Sequence, residues 1–249
     1  MRKLLFIIAL ISNSIGYAQP TNKADYFNEL KQRDVSYLFI HPYWEFDENQ
    51  PIGYLGNNFE RLRIKFISVI KNPLDPTEYL IYGKSKVKNN ICSFQGKLTI
   101  DRSITFNEDD DTLTLFGELS GHYTLFEDQK QPGTGIFKGV FETYFSFGEN
   151  NEIVYGSLTD YSTNQFEGNW TNYKTLKSIK CNWGDYRIPD SKNLDIGEGE
   201  FVPSDNYKNL GWESYLINLG KSIEGVENNR NKELEAIRIE KEKWWIDNK

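Results

Sequence analysis

Phe94-Gln95-Gly96-Lys97-Leu98 sets a pattern that returns at Leu115-Phe116-Gly117-Glu118-Leu119, Phe137-Lys138-Gly139-Val140-Phe141 and Phe166-Glu167-Gly168-Asn169-Trp170, with starts 21, 22 and 29 residues apart. In an extended strand, residues i, i+2 and i+4 share a face. Each copy therefore puts two large apolar groups on one side with a bare glycine between them. Glycine in mid-strand packs nothing and weakens pairing, so its repeated use marks a sheet that bends sharply or admits close neighbours. The spacing predicts a mainly all-β chain, an antiparallel up-and-down meander closed into a barrel of about eight strands.

Outward from that stretch the alternation continues. Leu62, Ile64, Phe66 and Ile70 alternate with Arg61, Arg63 and Lys65, and Tyr79, Ile81, Gly83 and Val87 oppose Lys84, Lys86 and Lys88. Such patterns give one buried and one solvated face. The two basic rows, if adjacent, form a positive outer stripe able to meet an acidic partner. Further strands are expected over 112–127, 152–159, 165–173 and 176–183, and after the Gln131-Pro132-Gly133 reversal in a strand with Phe137, Gly139, Phe141, Phe145 and Phe147 on one face. Val35–His41 reads as a first strand and Pro42–Asn58 as a loop.

The ends read differently. Met1–Ala18 has a charged start at Arg2-Lys3, an apolar run over Leu4–Ile11 and a small-residue site at Gly16-Tyr17-Ala18, the layout of a secretory signal cleaved after Ala18. The apolar run is shorter than the roughly 20 residues a membrane span needs. The expected location is periplasmic or extracellular, with 231 of 249 residues in the mature chain and no membrane span in it. Residues 19–34 are expected to hold a short helix, 35–211 the barrel, and 212–249 a helical segment. In that segment Asn231–Asp247 places Leu234, Ile237, Lys241 and Trp244 or Trp245 on one side, ready to dock on the barrel or to project.

Losing Arg2 and Lys3 takes the formal charge from −7 to −9, which argues against nucleic acid as a partner, since that binding leans on phosphate neutralisation. Cys92 and Cys181 are the only cysteines. In an oxidising compartment their expected fate is one disulfide, worth about 4–5 kcal/mol of chain entropy.

Gly83-Lys84-Ser85-Lys86-Val87-Lys88-Asn89-Asn90 and Cys181-Asn182-Trp183-Gly184-Asp185-Tyr186-Arg187-Ile188-Pro189 resemble segments of uncharacterised exported bacterial proteins, which implies location and no activity. Architecturally the chain resembles the calycin group, lipocalins included, which implies a barrel holding a small apolar ligand. The Gly-x-Trp signature of lipocalins is absent, and Tyr43-Trp44-Glu45 is the nearest approach. The glycine repeat is also similar to MORN repeats, without their second glycine pair.

Trp183, Asp185, Tyr186 and Arg187 form the densest group of recognition-prone side chains and are the expected ligand-binding residues. A barrel-closing corner is the plainer use of the same residues. No Gly-x-Ser-x-Gly or His-Glu-x-x-His motif accompanies His41 or His122, so no catalytic residue, metal or cofactor is assigned. Glu108–Asp111 reads as a solvated hairpin tip. Asp195-Ile196-Gly197-Glu198-Gly199-Glu200 reads as a tight acidic connection, with paired acids for glycoside cleavage as its sharper reading. The expected function is a non-enzymatic exported protein binding a small ligand. The alternatives are an interaction or inhibitor module using the barrel surface and C-terminal helix, and a carbohydrate-active hydrolase.

Overall fold

Alternation becomes strands wherever one face finds a core. In a computed structural model, which describes residues 23–40, 50–107, 115–156, 163–226 and 229–246, the strands are β1 (Ala24–Asp25), β2 (Ile52–Leu55), β3 (Glu60–Lys71), β4 (Glu78–Val87) and β5 (Asn90–Asn107). They continue as β6 (Leu115–Glu127), β7 (Gly135–Phe147), β8 (Ile153–Tyr155), β9 (Gln165–Asn172) and β10 (Ser178–Gly184). The order β5-β4-β3-β2-β10-β9-β7-β6 closes where β6 pairs back to β5, giving an antiparallel ring of eight strands. Within the ring each strand neighbours the next one in the chain, and the last strand of the ring pairs with the first, Cys181–Gly184 against Ile52–Leu55. The short β8 stands outside the ring on β7.

The glycines are explained by what lies across from them. Gly117 pairs with Phe145, and a Cβ there would come within 2.1 Å of the Phe145 ring. Gly139 and Gly168 face each other, and Tyr123 lies across them so closely that a Cβ on Gly168 would stand 2.6 Å from its hydroxyl. The bare positions therefore make room for rings inside a narrow ring of strands. Phe66, Phe94, Phe137, Phe141, Phe145, Phe166, Tyr123 and Trp183 fill the middle in one cluster.

Several expectations give way. Val35–His41 contains no strand: Ser36–Phe39 is a 3₁₀ turn, begun where the Asp34 carboxylate accepts from Ser36 N at 2.9 Å. Val35, Leu38 and Phe39 are spaced as a helical face and join the same core cluster as the barrel rings. The helix expected within residues 19–34 is one turn, α1 (Phe27–Leu30), because Ala24–Asp25 is drawn into the sheet against β5. Pro42–Asn58 was expected to be loop, yet it supplies β2. Ile52, Gly53 and Tyr54 are buried because the strand has core on both faces, which erases alternation. Ile70 was expected inward; a bulge between Phe66 and Ser68 turns Val69 in and leaves Ile70 exposed.

The expected disulfide is absent, and Cys92 and Cys181 are both free, buried thiols. They sit on β5 and β10, four strands apart in either direction round the ring. Bridging needs Cβ atoms about 4 Å apart. Burial, with the Glu127 charge adding to it, pushes the Cys92 thiol up to about 11, and raises Cys181 well above its ordinary value. The signal-like Met1–Ala18, the Tyr43-Trp44-Glu45 segment, His41 and Glu108–Asp111 all lie outside the described residues. Among the described residues no helix is long and apolar enough to cross a membrane.

Beyond β10 the chain wraps the outside. Ile188, Leu194, Phe201 and Trp212 pack with Ile52, Tyr54 and Phe59 in a second core over the outer face of β2. Two helices follow, α2 (Glu213–Asn218) and α3 (Arg230–Lys241), joined by a small cluster of Leu216, Ile217, Ile223 and Ala236. The side chain of Asn229 caps α3, accepting from Lys232 N at 3.2 Å.

Candidate functional site

The four expected ligand residues do not form one surface. Trp183 is 1% exposed and stacks on Phe166 at 4.8 Å inside the barrel. Asp185, also buried, accepts from Tyr155 Oη at 2.7 Å and from Asn164 Nδ2 at 2.8 Å. Burial first, then the charge and hydrogen bond of Asp185, hold the Tyr155 phenol far above its ordinary range. Arg187 turns away to Asp195 (3.0 Å) and the Gly197 carbonyl (2.6 Å). Tyr186 adopts φ 60° at the corner between these directions. The segment is a closure that ties the barrel end to the outer layer. A space of about 20 Å³ beside Lys65, Asn164 and Asp185 has room for about one water.

The basic stripe is where charge concentrates. Arg63 pairs with Lys86 across β3–β4, and Lys65 with Lys84, so the two rows are adjacent. They are not a solvated wall, because Arg61 and Arg63 are each only 8% exposed. Glu240 of α3 is the reason. Arg61 donates to both its carboxylate oxygens at 2.8 and 2.5 Å, Arg63 to one at 3.0 Å, and Ser214 Oγ to one at 2.5 Å. Arg63 also donates to the Ile239 carbonyl at 3.1 Å, and the Arg61 guanidinium lies 5.0 Å from the Tyr215 ring centre. Burial and the Arg61 charge bring Arg63 down to about 10. For Glu240, burial opposes ionisation but is outweighed by Arg61, Arg63 and Ser214, so its carboxyl lies below the usual range. The tail continues across the wall: Lys86 meets Glu242 at 2.9 Å, and Lys65 lies 5.1 Å from the Trp245 ring centre.

The helix docks by a face that periodicity did not identify. Ala236 and Glu240, four apart, are its attached side; of the expected face Leu234 is 49% exposed and Ile237 half-buried, and only Trp244, past the helix end, is buried. Periodicity ranks residues by apolarity, and here a carboxylate does the anchoring.

Docking of the tail creates a cleft. Between the end of the tail and the outer wall of β4–β5 lies a space of about 590 Å³. Its floor is Tyr82, Lys84, Ile91 and Ser93; Gln131 of the β6–β7 turn closes one side, and Glu242, Lys243, Trp244 and Ile246 form the other. The Gln131 side-chain oxygen accepts from Ser93 N at 2.8 Å, which fixes that turn. Gln50 accepts from the Trp244 indole at 2.6 Å, which fixes the tail. Tyr82 and Ile246 stay open to solvent, at 44% and 54%. Sequence reasoning missed Tyr82, Ser93 and Gln131. The one available signal was a pair of apolar side chains, Leu80 and Tyr82, on the lysine-bearing face of β4.

The remaining candidates are separate. His122 is exposed and sits 2.8 Å from Asp101 on the outer wall. Glu198 and Glu200 are exposed, while Asp195 is spent on its own loop, accepting from Gly197 N and Val202 N. Glu127 is a buried carboxylate satisfied by Ser85, Gly135 N and Trp170. Among the described residues no group of three or more His, Cys, Asp or Glu is placed to hold a metal. No protein-family model, curated protein or solved structure matches this chain.

Proposed function

We propose that this chain is an exported binding protein whose ligand site is the cleft between its docked tail and the outer wall of β4–β5, rather than the barrel interior. The observation that carries the reading is a contrast of volumes. Aromatic rings fill the middle of the ring, whereas about 590 Å³ lies open outside. Ligand sites are concave spaces of about 300–1,000 Å³ with a few fixed polar groups among apolar ones. Ser93, Gln131 and Trp244 are already held by hydrogen bonds, so binding there needs little reordering.

A screen of small soluble fragments by ligand-observed NMR tests this. Hits are expected that weaken in Tyr82→Ala and vanish when Ser93→Trp fills the floor. Hits that persist unchanged in both variants would place binding elsewhere.

The interaction-module reading rests on a different observation. Ile70 and Leu80, opposite each other on β3 and β4, are 59% and 46% exposed, an apolar step beside the cleft. A partner protein seated in the cleft would cover it.

A further inference from the structure

We propose that the cleft takes an uncharged, linear saccharide chain, which runs from Tyr82 across β5 to Phe126. The inference deepens the cleft reading and rests on it. Strand register places Tyr82 opposite Gln95, and Gln95 opposite Phe126, so the three occupy one row across β4, β5 and β6. All three side chains are exposed on the outer wall, the rings at 44% and 47%. Two interstrand steps set the strands that carry the rings about 10 Å apart, farther than one sugar ring covers. A chain of linked units can lay one ring on each aromatic and turn its hydroxyls toward the amide between them.

The chemistry of the cleft selects among ligand classes. A pyranose has apolar C–H faces and a rim of hydroxyls, and each hydroxyl both donates and accepts. The row and the cleft offer the matching set: aromatic faces, the Gln95 and Gln131 amides, the Ser93 hydroxyl, and charges of both signs in Lys84, Lys243 and Glu242. An acyl chain laid here would strip water from the exposed Gln95 amide without replacing its hydrogen bonds, which is costly. A strongly anionic polymer would meet Glu242 as well as Lys84 and Lys243. Mixed charge suits a neutral ligand. The platform is a paired, rigid sheet, so its spacing exists before binding.

Isothermal titration of the full chain with neutral hexasaccharides tests this, using β-1,4-glucose, β-1,4-mannose, β-1,4-xylose, β-1,3-glucose and α-1,4-glucose chains, a galacturonic acid hexamer, and each monosaccharide. At least one neutral hexamer is expected to bind, with its monosaccharide and the uronic hexamer at least tenfold weaker. Tyr82→Ala and Phe126→Ala should each weaken that hexamer about tenfold, while Val140→Ala, on the wall but off the row, leaves it unchanged. Because all three substitutions are on the solvent face, circular dichroism should show the same fold. Binding by none of the neutral hexamers overturns the proposal, as does equal binding of the uronic hexamer or indifference to both aromatic substitutions. If fragments still bind the cleft while no saccharide does, the saccharide inference fails and the cleft reading stands; if Ser93→Trp also leaves fragment binding intact, the cleft reading itself fails.

Discussion

Gly117 lies directly across from Phe145, and the space that a side chain on the glycine would need is already taken by the ring, 2.1 Å from where a Cβ would stand. The pair shows how a narrow ring of eight strands holds so many aromatics. Gly117→Ala is expected to destabilise by about 1–3 kcal/mol through overpacking. Combined with Phe145→Leu, the cost should be less than the sum of the two single changes, measured by urea denaturation. Strict additivity would show that the two do not contend for one space.

Glu240 tests the tail. Glu240→Gln leaves Arg61 and Arg63 buried with less to neutralise them, and the expected loss is about 3 kcal/mol. Leu234→Ala, on the exposed side of α3, should stay within about 0.5 kcal/mol. Amide exchange should quicken over 229–246 in the first variant and not in the second. Equal effects of the two would mean that the helix is held by its apolar residues after all.

The same carboxylate sets a pH window. The folded state holds Glu240 below its unfolded value of about 4.3. Its stabilisation is therefore complete above that value and is lost as pH falls through the folded one. The stability gap between wild type and Glu240→Gln should stay constant from pH 8 to about 5 and shrink below about 4. Glu127 acts in the opposite sense: burial raises it, against hydrogen bonds from Ser85, Trp170 and Gly135, so its charged form costs stability at neutral pH. A gap that narrows already near pH 6 would contradict the assignment to Glu240.

The thiols give a plain chemical readout. Neither Cys92 nor Cys181 should react with a disulfide reagent in the native state, and both should react in guanidinium without prior reduction. Two unreactive sulfurs in guanidinium, released only by reductant, would restore the bridge that the sequence led us to expect.

Much of the barrel was legible because β3 to β7 each have one apolar face in the barrel core and a more polar face outside it, and glycine marks where rings need space. The exceptions have physical causes. β2 is four residues long with core on both sides, so it shows no period. Val35–Phe39 is rich in strand formers, yet the Asp34 carboxylate and the need to close the barrel end make it a turn. The bulge after Phe66 reverses Ile70, and nothing local announces it. The largest misreading was Arg61 and Arg63 as a solvated face, because the residue that buries them, Glu240, lies 179 and 177 positions further on. The cleft was illegible for the same reason, being made by the wall and a distant tail together. Trp183 and Asp185 stood out in sequence for bulk and charge, properties the fold spends on packing and closure.

Backbone amide chemical-shift mapping addresses the division between a filled interior and a binding outer wall most directly. During titration with a neutral hexasaccharide, shifts are expected at Tyr82, Ser93, Gln95, Phe126 and residues 242–246, with Phe94, Tyr123, Phe166 and Trp183 unmoved. Shifts concentrated on those four interior residues, with the outer row silent, would contradict it.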